Sequence, residues 1–179
     1  MATNDIQPSG TVLCSLFEYK AWANKELFSA LGTIDAVAHP VETHGAIRIL
    51  NHVYVVDRIF VGHLVGVPHD YEATNTKETP ALSELAAKVR EVDAWYVSYV
   101  GRLSGHSMNE RVRFTFTDGD AGEMSREEIL MHVITHGGYH RGAAGQVMKA
   151  AASAPPRDLY TRFLHASQPD RRGPQKSAV

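Results

Sequence analysis

Met131-His132-Val133-Ile134-Thr135-His136-Gly137-Gly138-Tyr139-His140-Arg141-Gly142 sets three histidines at intervals of four, inside a segment that reads as a helix. Side chains at i and i+4 of a helix sit one above the other, so two imidazoles can converge on one cation. All three cannot. With about 1.5 Å of rise per residue, His132 and His140 lie roughly 12 Å apart along the axis, against metal–nitrogen bonds near ~2.1 Å. One adjacent pair is needed, with a further ligand from another element.

The hydrophobic period selects the pair. Ile129, Val133, His136, His140, Ala143 and Val147 follow one another at helical steps of four and three, the pattern of an inward seam. His136 and His140 are thereby expected where a helical core takes Leu or Val, with His132 beside the seam. Two adjacent buried imidazoles are hard to satisfy without a cation. A second seam, Ile49, His52, Val56, Ile59 and His63, turns both of its histidines inward. They are about 16 Å apart along the axis and cannot serve the same ion. Spacing does not choose between them, although Asp57 and Asn51 near His52 could hydrogen-bond behind a ligand. His44, His69 and His106 fall near expected ends or loops and read as solvated.

Four long helical segments surround these seams. The first covers Thr11 to Leu31, with Leu13, Leu16, Phe17, Ala23, Leu27, Phe28 and Leu31 inward and Gly32 as its stop. The second runs from about Thr43 to Val65, between Pro40 and Gly66. The third, from Pro80 to about Leu103, places Leu82, Leu85, Val89, Val92, Tyr96, Tyr99 and Leu103 on one face, with Thr79 as its N-cap. The fourth begins at Ser125, where Glu128 completes a capping box, and ends before Pro155-Pro156. Between the last two, Arg111-Val112-Arg113-Phe114-Thr115-Phe116-Thr117 alternates polar and apolar residues ahead of Asp118-Gly119-Asp120, the signature of a hairpin. The fold class expected is all-α, a four-helix bundle with a short β-hairpin before the last long helix and a metal site across helices two and four.

At 179 residues and 44% hydrophobic, the chain suffices for one domain. Eighteen basic against twenty acidic residues, scattered along most of the chain, argue against nucleic acid or an anionic membrane as partner. Cys14 is the single cysteine, which rules out an intrachain disulfide and a cysteine-based zinc site and fits a reducing cytoplasm. Its place in an amphipathic helix reads as packing rather than as a nucleophile. No apolar run reaches the roughly 18 residues of a membrane span, so the expectation is a soluble cytoplasmic protein. Met1 to Gly10 and Ser167 to Val179 are polar and read as mobile ends flanking a domain at 11–166.

Tyr19-Lys20-Ala21-Trp22-Ala23-Asn24, Leu50-Asn51-His52-Val53, the segment His132 to Gly142 and the closing Pro155-Pro156-Arg157-Asp158-Leu159-Tyr160 together resemble the DinB/YfiT-like superfamily of metal-binding four-helix bundles. The resemblance covers nearly the whole chain. It implies that one His of helix two joins the two of an H-x-x-x-H-R-G segment, which makes His52, His136 and His140 the metal ligands. It also implies a divalent ion, zinc or nickel first, a homodimer, and chemistry on a low-molecular-weight thiol such as bacillithiol or mycothiol. A metal-dependent hydrolase and a non-enzymatic metal-stabilised bundle are the other readings. The chain departs from the H-R-G-Q form of the motif, since Ala143 follows Gly142 and Gln146 lies on another face. Arg141 is expected either to meet a substrate carboxylate or to form an ion pair on the helix surface, and Tyr19 and Trp22 either to pack or to line the pocket. The Gly137-Gly138 pair, costly in a helix, suggests a close approach by another helix, a dimer partner or substrate.

Overall fold

Apolar residues that recur every three or four positions produce four long helices, and their apolar faces decide how those helices meet. The computed structural model of the chain describes residues 11–171 and 173. Helix α1 spans Thr11–Leu31, α2 Pro40–Val65 and α3 Leu82–Val100. A short α4, Gly105–Met108, precedes strands β1, Arg111–Thr115, and β2, Ala121–Ser125, after which come α5, Arg126–Ala150, and α6, Tyr160–Ser167. The architecture is mainly helical with one two-stranded antiparallel sheet. α2 lies against α5 and α3, α1 lies against α3 and α5, and α6 packs on α1. No helix among the described residues is long and apolar enough to cross a membrane.

The helix ends have local causes. α2 starts at Pro40, before the expected Thr43, because proline's fixed φ and missing N–H suit a first helical turn. It stops at Gly66, whose φ of 70° lies in the left-handed region that glycine enters without steric cost. α3 begins at Leu82 with Ala81 as an extended N-cap, so Thr79 does not cap it. The chain before it is tied to α2, since Arg48 Nη1 donates to the Thr76 and Glu78 carbonyls at 2.6 and 3.2 Å. α3 also ends at Val100, short of Leu103, and Ser104 then caps the unforeseen α4 by accepting from the Ser107 N–H at 3.2 Å. Ser125 and Glu128 form the expected capping box at the start of α5, with reciprocal bonds of 3.1 and 2.6 Å. β1 pairs with β2 from Arg111 opposite Ser125 to Thr115 opposite Ala121, so the hairpin is present but its first strand stops at Thr115.

Beyond Pro155-Pro156 the chain forms α6, which was not expected, and Phe163 packs there against Tyr19 and Trp22. Pro169–Arg171 form one 3-10 turn. The mobile ends expected at 1–10 and over 172 and 174–179 fall outside the described residues.

Two apolar clusters fill the interior. One includes Leu13, Phe17, Val56, Phe60, Tyr96, Ile129 and Val133; the other includes Leu27, Leu31, Leu50, Leu85, Val89, Ala144 and Met148. Along each long helix, buried polar or charged residues fall between the two clusters or at the near edge of the first: Lys20 and Asn24 on α1, Asp57 just after Val56 on α2, Asp93 just after Val92 on α3, and Arg141 on α5. Lys20 Nζ lies 2.7 Å from Asp57 Oδ2 and 2.7 Å from Asp93 Oδ1, and Asn24 Nδ2 donates to Asp93 Oδ2 at 2.8 Å. Burial opposes the Lys20 charge, but the two carboxylates outweigh it and hold its pKa above the ordinary lysine value. A charged layer therefore crosses the middle of the helix core.

Candidate metal centre

At the level of that layer, α2 brings His52 to face His136 and His140, which stand one turn apart on α5. One ring nitrogen from each of the three lies within 4.8 Å of the others. His52 Nε2 is 3.0 Å from His136 Nε2, and the His52 ring centre is 4.7 Å from that of His140. Three imidazoles around one ion with bonds near ~2.1 Å need nitrogen separations of about 3.4 Å, so only small side-chain adjustments separate this arrangement from a ligand set. His63 is not part of it. Its ring stacks on Phe114 at 4.6 Å and neighbours His69 at 5.2 Å, so His69 is half-buried rather than solvated, whereas His44 and His106 are exposed.

His52 is oriented from behind. Its Nδ1 lies 2.7 Å from the Thr74 carbonyl, an acceptor only, so Nδ1 carries the proton and Nε2 offers its lone pair. This supporting contact falls to Thr74 and not to Asp57 or Asn51, the residues expected. Asp57 is committed to Lys20 in the core. Asn51 acts one step further out, donating to Asn75 Oδ1 at 2.5 Å and Thr76 Oγ1 at 2.7 Å and so fixing the loop that carries Thr74.

The histidines of α5 do not occupy the centre of its inward face. Leu130, Val133, Gly137, Arg141, Ala144 and Met148 do, and His136 and His140 sit half-buried on its shoulder. The cause is the charged layer. An added Cβ at Gly137 would lie 3.3 Å from Lys20 Cε and 3.3 Å from Arg141 Nη1, so the central position must stay empty for those two side chains. Gly138 meets nothing closer than 3.9 Å. Arg141 forms the ion pair of the two readings, but in the interior and not on the surface: it is 4% exposed, its Nε is 2.8 Å from Asp158 Oδ2, and its Nη1 reaches Asn24 Oδ1 at 3.4 Å. The Tyr19 hydroxyl donates to the other Asp158 oxygen, and burial together with that bond pushes its pKa up to about 12. Tyr19 and Trp22 pack against α6.

Burial, followed by the neighbouring His140 and His52, lowers the His136 pKa to about 3, and burial followed by His52 lowers that of His140. Neutral imidazole is the form that binds metal. His136 Nδ1 is buried without a hydrogen-bond partner, and its Nε2 meets another imidazole nitrogen whose own proton is on the far side. Three imidazoles gathered with a ring nitrogen of each this close are a donor set that fits a divalent cation.

A pocket of about 340 Å³ opens against His52 and His136, walled by Val56, Ile59 and Phe60 of α2 and by Phe116 and Met124 of the hairpin region. Cys14 is half-buried against the first apolar cluster, and burial raises its thiol pKa, both consistent with packing. The charged layer escaped sequence reading although its signal was present. Leu13, Phe17, Lys20, Asn24, Leu27 and Leu31 make one seam, and Ala46, Leu50, Val53, Asp57, Phe60 and Leu64 another, each with polar residues at core positions. Thr74 gave no signal, because a backbone carbonyl carries no residue identity.

The profile of the DinB family matches residues 2–172. A curated relative, "Protein DinB" of Bacillus subtilis (strain 168), is 25% identical over 155 residues, which cover 78% of this chain and 87% of that protein. With the match spanning nearly all of the sequence and three histidines gathered as a metal-ligand set, the chain belongs to the DinB family.

Proposed function

We propose that the chain is a four-helix bundle acting as a divalent-metal-dependent transferase that joins a low-molecular-weight thiol to an electrophile. The observation that carries this reading is the placement of a three-imidazole set on the wall of an apolar pocket. Three protein ligands would leave a position for an exchangeable group, and His136 and His140, half-buried on the shoulder of α5, are reachable from outside the core. When bound there, a divalent ion, zinc or nickel, allows a thiol to be held as its thiolate. The chain's own part is to orient His52 through Thr74, to keep His136 and His140 neutral, and to offer an apolar space beside them. Among the described residues the pocket is lined by His63 and His132 but by no carboxylate, so the hydrolase reading would take its general base from an imidazole. A homodimer and a cytoplasmic setting belong to the same proposal, from the family resemblance and the single cysteine. Gly137 is not evidence for the dimer, since Lys20 and Arg141 fill the space beside it.

The test is thiol-dependent turnover. Metal-loaded protein is assayed with bacillithiol, mycothiol and simpler thiols against chlorodinitrobenzene and monochlorobimane, with His136→Ala as the control. Acceleration by wild type alone supports the transferase. Equal rates with wild type, His136→Ala and no protein set it aside, and turnover of an ester without thiol favours the hydrolase.

A further inference from the structure

Two histidines of the pocket wall are left over by the metal centre. His63 and His132 line the cavity with His52 and His136, and their ring contacts are aromatic: His63 on Phe114, His132 on Phe60 at 4.9 Å and on His136 at 5.3 Å. Neither imidazole hydrogen-bonds to another described residue, yet both are half-buried. An imidazole is uncharged above its ordinary titration range near ~6.5. Each then keeps one N–H donor and one acceptor on a wall otherwise made largely of Val56, Ile59, Phe60, Phe116 and Met124. No Lys, Arg, Asp or Glu among the described residues lines the cavity.

The lack of charged side chains selects against ions. Away from His52 and His136, a charged ligand group would lose its water with no side chain of opposite sign to meet it, whereas an uncharged carbonyl or amide could accept from an imidazole N–H. The volume of about 340 Å³ is at the small end for a ligand site, enough for one compact apolar body. A polar thiol of the sugar-bearing kind suits such walls poorly.

We propose that this pocket receives the uncharged co-substrate, a largely apolar electrophile bearing a carbonyl-type acceptor, and that His63 and His132 orient it by hydrogen bonds. The proposal rests on the transferase reading for the reaction, but the binding preference stands on the pocket alone. His63 and His132 are specificity-determining residues in this account, and neither is a metal ligand.

The experiment measures dissociation constants by saturation-transfer NMR on the full chain, zinc-loaded and metal-free, using acetophenone, ethylbenzene and benzenesulfonate as unreactive probes. The benzenesulfonate comparison is read on the metal-free form, because a bound cation would itself attract the anion. Acetophenone is expected to bind more tightly than ethylbenzene, and benzenesulfonate more weakly than either. His63→Phe and His132→Phe keep the aromatic shape and are each expected to weaken acetophenone about three- to tenfold, with little effect on ethylbenzene. His132→Gln, which keeps a donor, should recover most of the loss. Equal binding of acetophenone and ethylbenzene to wild type overturns the proposal, as does unchanged acetophenone affinity in both Phe variants, tighter benzenesulfonate binding, or no binding at all. Elemental analysis of the same samples separates the two ideas. Metal retained with no acetophenone preference removes the pocket assignment only, whereas wild type that never takes up metal removes the transferase reading and leaves the probe result to stand for the pocket.

Discussion

Gly137 faces Lys20 so closely that an added Cβ would come within 3.3 Å of the Lys20 Cε. Lys20 cannot give way, because its ammonium is held at 2.7 Å by both Asp57 and Asp93. Ala at a helix interior is favoured over Gly by about 1 kcal/mol, so the two glycines of the motif should respond in opposite directions. Gly137→Ala is expected to lose about 1 kcal/mol despite that gain, and Gly138→Ala, with no contact inside 3.9 Å, to gain up to about 1 kcal/mol. Urea denaturation of the pair decides it, and stabilisation of both variants would show that Lys20 yields.

Lys20→Met removes the ammonium shared by two buried carboxylates and should cost about 3–5 kcal/mol of unfolding free energy. Adding Asp57→Asn and Asp93→Asn to the same chain removes the uncompensated charge and should return part of the loss. A triple variant no more stable than Lys20→Met would mean that shape, not charge, sets the cost.

His52→Ala, His136→Ala and His140→Ala should each lose most bound metal, while His63→Ala and His132→Ala keep it. Asn51→Ala should retain the site but bind metal about tenfold more weakly, because the loop carrying Thr74 is freed to move. Competition with a chelating dye reads both effects. Full affinity in Asn51→Ala would leave the Thr74 carbonyl without a role in orienting His52.

The metal-free protein should become less stable as the solution is acidified. His136, lowered from 6.5 to about 3 chiefly by burial, binds its proton more weakly when folded than when unfolded. Its contribution is thus fully present above pH 6.5 and is lost as pH falls toward about 3. Asp57, raised from 3.8 to about 6 chiefly by burial, works in the opposite direction across its own window. Comparing wild type with His136→Phe isolates the histidine, and denaturation curves at several pH values should show the flatter dependence in the variant. Parallel dependence in the two proteins would place His136 in a wetter setting than its burial indicates.

How far the sequence could be read depended on which physical signal each element carries. The long helices were legible because Leu13, Phe17, Leu27, Leu85, Val89 and Tyr96 repeat at helical spacing, and the hairpin because residues 111–117 alternate. Helix ends were legible where a side chain makes the cap, as at Ser125, and not at Ala81, which caps without a side-chain bond after a segment that Arg48 of another element holds by the Thr76 and Glu78 carbonyls. The triad was legible through the i, i+4 pair together with the resemblance, but the rotation of α5 that sets His136 and His140 on its shoulder was not. That rotation answers Lys20 and Arg141, whose burial depends on Asp57, Asp93 and Asp158 in distant parts of the chain.

The hairpin lends Phe116, Thr117 and Met124 to the pocket but no ligand to the metal set. Part of the cavity's shape is thereby written on a stretch of polypeptide that supplies none of the gathered imidazoles. Phe116 and Thr117 lie at the turn between β1 and β2, so a lineage could reshape one rim of the pocket by editing a surface loop while α2 and α5 keep their histidines.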